Sequence, residues 1–218
     1  MKAIIFDFDG VIIDSMGIKS EAFAHIYSKY GKDIKEKVVA HHQSNGGMSR
    51  YKKFKLYHKE FLNIELTDEE IKVMDKQFSE FVMSKISDAP FVKGILDFLE
   101  QNKKYYKFFI SSGTPQYELN QVVKLLGIEH YFERIFGSPD NKEKHIEMIL
   151  KEYFFHPKTV LFIGDGTYDK KAANATNLNF LARIANENSL LMNEEFKIDD
   201  FTEANDIIAL IDAKNSIA

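Results

Sequence analysis

The 218-residue chain contains no cysteine. Disulfides, thiolate nucleophiles and Cys-ligated metal centres are therefore excluded, and a reducing cytoplasm suits such a chain. It has only 4 prolines and 11 glycines, too few for a collagenous or low-complexity protein. Charge of neither sign dominates: 33 acidic against 29 basic residues give a net charge of -4. That balance argues against nucleic acid or an anionic membrane as a partner. No stretch approaches the ~20 apolar residues of a membrane span. The first apolar run meets Asp7 too early for a signal peptide. The length and a 44% hydrophobic content allow a large buried core.

Short apolar runs recur, each closing on a small or acidic residue. Ala3–Phe6 ends at Asp7, Phe108–Ile110 at Ser111-Ser112, and Val160–Ile163 at Gly164-Asp165, with Phe180-Leu181-Ala182 near the end. Such runs are the pattern of strands buried on both faces. Helical spacing lies between them, at Ile95–Leu99, at Leu119, Val122, Val123, Leu125 and Leu126 before a stop at Gly127, and at Ile146, Ile149 and Leu150. The alternation predicts an α/β fold with a doubly wound parallel sheet. Residues 15–88 break the rhythm. They carry Lys, Glu, Phe and Tyr, and a helix-start signal at Thr67-Asp68-Glu69-Glu70. The expected division is an α/β core of residues 1–14 and 89–218, with a helical insert at 15–88.

Asp7-Phe8-Asp9-Gly10-Val11 follows the first run. Two carboxylates at the carboxyl end of a buried strand face the crevice where open parallel sheets bind ligands. Their oxygens suit a hard cation such as Mg²⁺. One carboxylate can attack phosphorus while the other moves protons. Taken alone, the pair reads better as acids that are merely solvated or cap a turn.

Asp7 to Ser15 resembles the first motif of the haloacid dehalogenase-like hydrolases, a phosphatase superfamily with an aspartyl-phosphate intermediate and a Rossmann-like core. Further stretches follow in that family's order: Ser112-Gly113-Thr114, Lys142 within Gly137–Lys142, and Gly164-Asp165-Gly166-Thr167-Tyr168-Asp169. The resemblance implies Asp7 as nucleophile and metal ligand. It implies Asp9 as acid and base, with its backbone carbonyl on the metal. Asp165 would bind Mg²⁺ directly, with Asp169 beside it or one step behind. Ser112, the Gly113 backbone and Lys142 would hold the phosphoryl oxygens. A group that both gives and takes a proton, as Asp9 would, is expected to have its pKa raised toward neutrality. The dehalogenase branch lacks an acid at the second Asp position, so Asp9 favours phosphoryl transfer. Lys142 is preferred to Lys144 because it precedes Ile146 by one helical turn, while Lys170 and Lys171 read as surface charges.

The insert resembles the helical cap of many family members, which excludes water and reads the substrate. Gly46-Gly47 reads as a turn, Ser49 as a helix cap, and Arg50 and Lys53 as one face of the next helix, facing substrate. Gly47-Met48-Ser49-Arg50 resembles the cap loop of β-phosphoglucomutases, whose arginine grips a distal phosphate. From this, Arg50→Ala is expected mainly to raise KM. His41 and His42, being adjacent, cannot easily share one metal. Phe54, Tyr57 and Phe61 read as core. Two departures from the mutase pattern favour water as the final acceptor: no Lys-Pro-x-Pro follows Lys142, and the acidic motif is Gly-Asp-Gly-Thr-Tyr-Asp. The expectation is a Mg²⁺-dependent phosphatase of a small phosphorylated metabolite, a sugar phosphate or a phosphoglycolate-like acid. A mutase and a non-catalytic phospho-acceptor module are its rivals. Oligomeric state is not legible in the sequence.

Overall fold

The computed structural model describes residues 1–45 and 48–215. The expected turn at Gly46-Gly47 lies outside the described residues. Six strands form one parallel sheet: β1 (Ala3–Phe6), β2 (Lys107–Pro115), β3 (Phe132–Ser138), β4 (Val160–Gly164), β5 (Asn179–Arg183) and β6 (Lys197–Ile198). Their spatial order is β3-β2-β1-β4-β5-β6. The chain leaves β1 for one side of the sheet, then returns to place β4 on the other. This reversal opens a crevice at the carboxyl ends of the central strands, the usual ligand position in doubly wound sheets.

Side chains of successive strand residues point to opposite faces. Ile4, Phe6, Phe108, Ile110, Leu161 and Ile163 pack on one face, against α5 (Ile95–Asn102), α6 (Gln116–Leu125) and α9 (Ala204–Asn215). Ala3, Ile5, Phe109, Val160 and Phe162 pack on the other, against α7 (Lys142–Glu152) and α8 (Thr167–Ala175). Both layers are apolar, which is why the central strands read as unbroken apolar runs.

Two strands carry no such run. β3 is an edge strand whose Glu133 and Arg134 face solvent, and β6 is only two residues long. The expected apolar stripe on α6 also needs correction. Leu119, Val122 and Val123 are buried, whereas Leu125 is 56% exposed. Leu125 lies six residues beyond Leu119, and at 100° per residue that turns it away from the stripe.

Between β1 and β2 the chain forms the helical cap: α1 (Met16–Tyr27), α2 (Lys32–Ser44), α3 (Arg50–Tyr57) and α4 (Asp68–Met83). Thr67 accepts from the Glu70 backbone N–H while Glu70 reaches back to the Thr67 N–H, so α4 starts where the sequence signals it. Ser49 occupies the N-cap of α3, but its side chain makes no capping bond. The Phe23 ring packs on Phe54, Tyr57 and Phe78 with centroids 4.7–5.7 Å away, and Phe61 stacks on Tyr57. The aromatic stripe is core, as expected.

His145 supports the floor of the crevice from α7. It is buried, stacks on Phe136 and bonds Ser111 Oγ through Nδ1 at 2.9 Å. Burial, aided by the Lys142 charge, pushes its pKa down to about 4. The unfolded chain binds this proton at higher pH than the folded one, so His145 weakens the fold as pH falls from 6.5 toward 4. Between pH 7 and pH 5 the contribution is about 2 kcal/mol. Urea unfolding at both pH values should show His145→Gln losing less stability on acidification by about that amount. An equal loss in both proteins would contradict this.

Candidate active site

The site lies at the carboxyl ends of β1, β2 and β4. Asp7 follows β1, its backbone N–H donating to Ile163 O at 2.9 Å. Its carboxylate is buried and held through Oδ1, which accepts from the Phe8 N–H at 2.7 Å and meets Lys142 Nζ at 2.9 Å. Lys142, the first residue of α7, also meets Asp169 Oδ1 at 2.5 Å. Asp169 in α8 caps its own helix by accepting from the Gly166 N–H. Lys144 is exposed and paired with Asp140. Lys170 pairs with Glu194, and Lys171 is exposed. The structure thus brings Lys142 to the acids and leaves Lys144, Lys170 and Lys171 outside.

Asp7, Asp165 and Asp169 each offer an oxygen within 4.8 Å of the others. Two glycines permit this crowding. Gly10 has φ +78°, and a Cβ there would lie 2.1 Å from Asp165 Oδ2. A Cβ on Gly164 would lie 2.3 Å from Asp169 Cβ. Burial, with Asp169 and Asp9 adding to it, pushes Asp7 up to about 7 against the pull of Lys142. Burial and the Asp7 and Asp169 charges hold Asp165 well above the carboxylate range. Burial opposes the Lys142 charge, yet Asp169 and Asp7 outweigh it and raise that pKa. Three acids crowd one ammonium, so a cation here would relieve the repulsion that raises Asp7 and Asp165, and among the described residues Asp165 Oδ1 is buried without a hydrogen-bond partner. An orphaned oxygen inside an all-oxygen acidic cluster fits a hard divalent cation.

Asp9 points elsewhere. Its carboxylate accepts from Ser15 Oγ at 2.5 Å and Thr114 Oγ1 at 2.9 Å, and pairs with Lys19 Nζ at 2.5 Å. The expected rise in its pKa is not found. Burial pushes it up, but the Lys19 charge and the hydrogen bonds from Lys19, Ser15 and Thr114 outweigh burial and hold it below the usual value. Lys19 sits in the first turn of α1, where nothing in the local sequence marks it. Lys19→Met removes the main opposing charge and leaves burial in command. The acid limb of the pH–kcat/KM profile should then move to higher pH. An unmoved limb would show that Lys19 does not set the Asp9 proton affinity.

Ser112, on β2, is buried and accepts from the Thr114 N–H. Gly113, Thr114, Asp7, Asp9, Lys19, Arg50 and Lys53 border one cavity beneath the cap. Arg50 reaches it already engaged. Nε donates to Asp75 Oδ1 at 2.6 Å, and Nη2 donates to Ser79 Oγ and Glu118 Oε2, each at 2.8 Å. Glu118 belongs to α6 of the core, so this ion pair ties cap to core. Ser79 Oγ also donates to Glu118, at 2.6 Å. Lys53 is buried, with Nζ 2.8 Å from His42 Nδ1. His41 bonds the Tyr57 hydroxyl instead.

A parallel sheet with a topological reversal, an acidic triad at its carboxyl edge and a helical cap define a capped, Rossmann-like hydrolase fold. Residues 4–183 match the family of haloacid dehalogenase-like hydrolases, and the chain belongs to it. It is 29% identical over 139 residues to a phosphorylated carbohydrates phosphatase of Thermotoga maritima, a match covering 63% of this chain and 62% of that relative. A Pasteurella multocida phosphoglycolate phosphatase is 25% identical over 183 residues, covering 79% and 81% of the two chains. The crystal structure of a Clostridium difficile β-phosphoglucomutase superposes with a TM-score of 0.83 at 23% identity, covering 100% of both chains. That last likeness shows the shared fold. No helix among the described residues is long and apolar enough to cross a membrane.

Proposed function

We propose that this chain is a Mg²⁺-dependent phosphomonoesterase acting on a small phosphorylated metabolite through a phosphoryl intermediate on Asp7. Residues 15–88 serve as its cap and residues 1–14 with 89–218 as its catalytic core. The observation that carries the reading is Asp7 itself. It is a buried carboxylate facing a capped cavity, with Lys142 and two further acids packed around it. Asp7, Asp165 and Asp169, with the Asp9 backbone carbonyl, would hold the cation. Bound there, Mg²⁺ supplies positive charge that screens the approach of an anionic phosphoryl group to a carboxylate.

The chain's own residues do the rest. Both donors on Asp7 sit on Oδ1, which leaves Oδ2 to form the bond to phosphorus as the ester P–O bond breaks. Lys142, the Ser112 hydroxyl and the Gly113 backbone N–H gather the phosphoryl oxygens. The proton for the leaving alkoxide resides on the Lys19–Asp9 pair. Asp9 then takes a proton from the water that attacks phospho-Asp7, releasing phosphate. Arg50 and Lys53 face the organic part of the substrate. The phosphatase names of the relatives support hydrolysis.

The test is phosphate release across a panel of phosphorylated metabolites, hexose 1-phosphates included, with Mg²⁺ and with EDTA. Metal-dependent release is expected. An isomerised sugar without free phosphate would replace this reading by that of a mutase, and no reaction at all would support a non-catalytic phospho-acceptor.

A further inference from the structure

The acidic triad lies between two cavities. The first is the cap cavity, about 50 Å³ in volume, which Asp7 borders together with the basic Lys19, Arg50 and Lys53. The second is a groove of about 470 Å³, between the carboxyl end of α2 and the loop that follows β5. Helix α1 is the partition. Met16 borders both spaces, Lys19 and Phe23 border the cap cavity, and Gly17 and Ser20 border the groove.

The members of the triad open to different sides. Asp7 borders the cap cavity and not the groove, whereas Asp165 borders the groove and not the cap cavity. Asp7 and Asp169 are 2% and 0% exposed, while Asp165 is only half-buried. The triad oxygen with no hydrogen-bond partner among the described residues, Oδ1, belongs to that same Asp165. The charges of the two walls also differ. The ionisable residues along the groove are Asp14 and Asp165, and no Lys, Arg or His borders it among the described residues. An acidic wall gathers cations and turns away phosphorylated anions, and a basic one does the reverse. Size separates them further. Mg²⁺ gives up its waters reluctantly, and a space of about 50 Å³ suits only a few waters. The groove has room for the ion with its water shell. Ser20, 8% exposed and with its hydroxyl unpartnered among the described residues, offers an oxygen on the way.

We propose that this groove is a separate entrance for the divalent cation, which reaches Asp165 from outside α1 while the substrate comes and goes beneath the cap. The metal can then exchange while the cap is shut over substrate. This rests on the Mg²⁺-dependent reading, since it takes the triad as the seat of the metal.

An entrance sets the rates of arrival and departure and leaves the equilibrium alone. Gly17 allows it to be narrowed, because a Cβ there would meet nothing within 4 Å. Stopped-flow mixing of metal-free protein with Mn²⁺, read by a fluorescent chelator, gives both rates, and electron paramagnetic resonance of free Mn²⁺ gives Kd. In Gly17→Trp protein both rates should fall by about 10-fold or more at unchanged Kd, because each passage waits for the indole to swing aside. The unchanged Kd reports that the variant is folded. Asp14→Asn should slow association at low salt, and the difference should vanish near 1 M salt, where charges are screened beyond about 3 Å. Association at the wild-type rate in Gly17→Trp protein overturns the entrance and leaves the metal site standing. If that variant binds no Mn²⁺, an association rate in Asp14→Asn equal to wild type at low salt overturns it instead. Wild-type protein that binds no Mn²⁺ overturns the Mg²⁺ reading and the entrance with it.

Discussion

Asp7→Asn should lower the rate of phosphate release by roughly 10⁴-fold or more, the scale on which removing a covalent nucleophile acts. The amide keeps the shape and the Oδ1 position that Phe8 N–H and Lys142 hold, so the loss is of chemistry and not of fold. The same substitution has a second consequence. Burial pushes the Asp7 carboxyl up to about 7, so above neutral pH its charge works against folding, and acidification through 7 relieves it. Without metal, the neutral amide should therefore leave the protein at least as stable as wild type near pH 8. Thermal unfolding in EDTA checks this. A variant that releases phosphate at near-normal rate would remove Asp7 from the nucleophile's role. One that melts well below wild type would show the crowded acids to be stabilising.

Replacing Arg50 by Met should destabilise the protein by about 3–5 kcal/mol, the usual cost of stripping one partner from a buried ion pair. Glu118 is 1% exposed and, among the described residues, would keep only Ser79 as a donor. The sequence alone points to a KM effect, because it shows a basic residue on a cap and not the acids that meet it. Adding Glu118→Met to Arg50→Met should restore much of the loss, since the orphaned carboxylate goes too. Urea unfolding of the four proteins in this cycle gives the coupling. A loss under about 1 kcal/mol for Arg50→Met would place this pair with weak surface bridges.

What the sequence displays follows from which contacts are local. β1, β2, β4 and β5 are legible because burial on both faces demands apolar residues throughout. β3 is not, because its outward edge admits Glu133 and Arg134. In the site, Asp7, Asp9, Ser112, Lys142, Asp165 and Asp169 are marked by the strand ends and turns that carry them. Lys19, Ser79 and Glu118 sit in helices of ordinary polar texture. They acquire meaning only when the cap meets the core, as in the Arg50–Glu118 pair, 68 residues apart in sequence. The low proton affinity of Asp9 was hidden for the same reason, since Lys19 reaches it from the cap. In the sequence His42 reads as half of an implausible metal pair, whereas in the structure its partner is Lys53 on α3.

The most direct measurement of the central claim is mass spectrometry of the protein, quenched in acid within one turnover of a phosphomonoester substrate in Mg²⁺ buffer. The account predicts a transient gain of one phosphoryl group, located by fragmentation on Asp7 and missing from Asp7→Asn protein. Phosphate release with no protein-bound phosphoryl group at any time, or with the group on another residue, would contradict it.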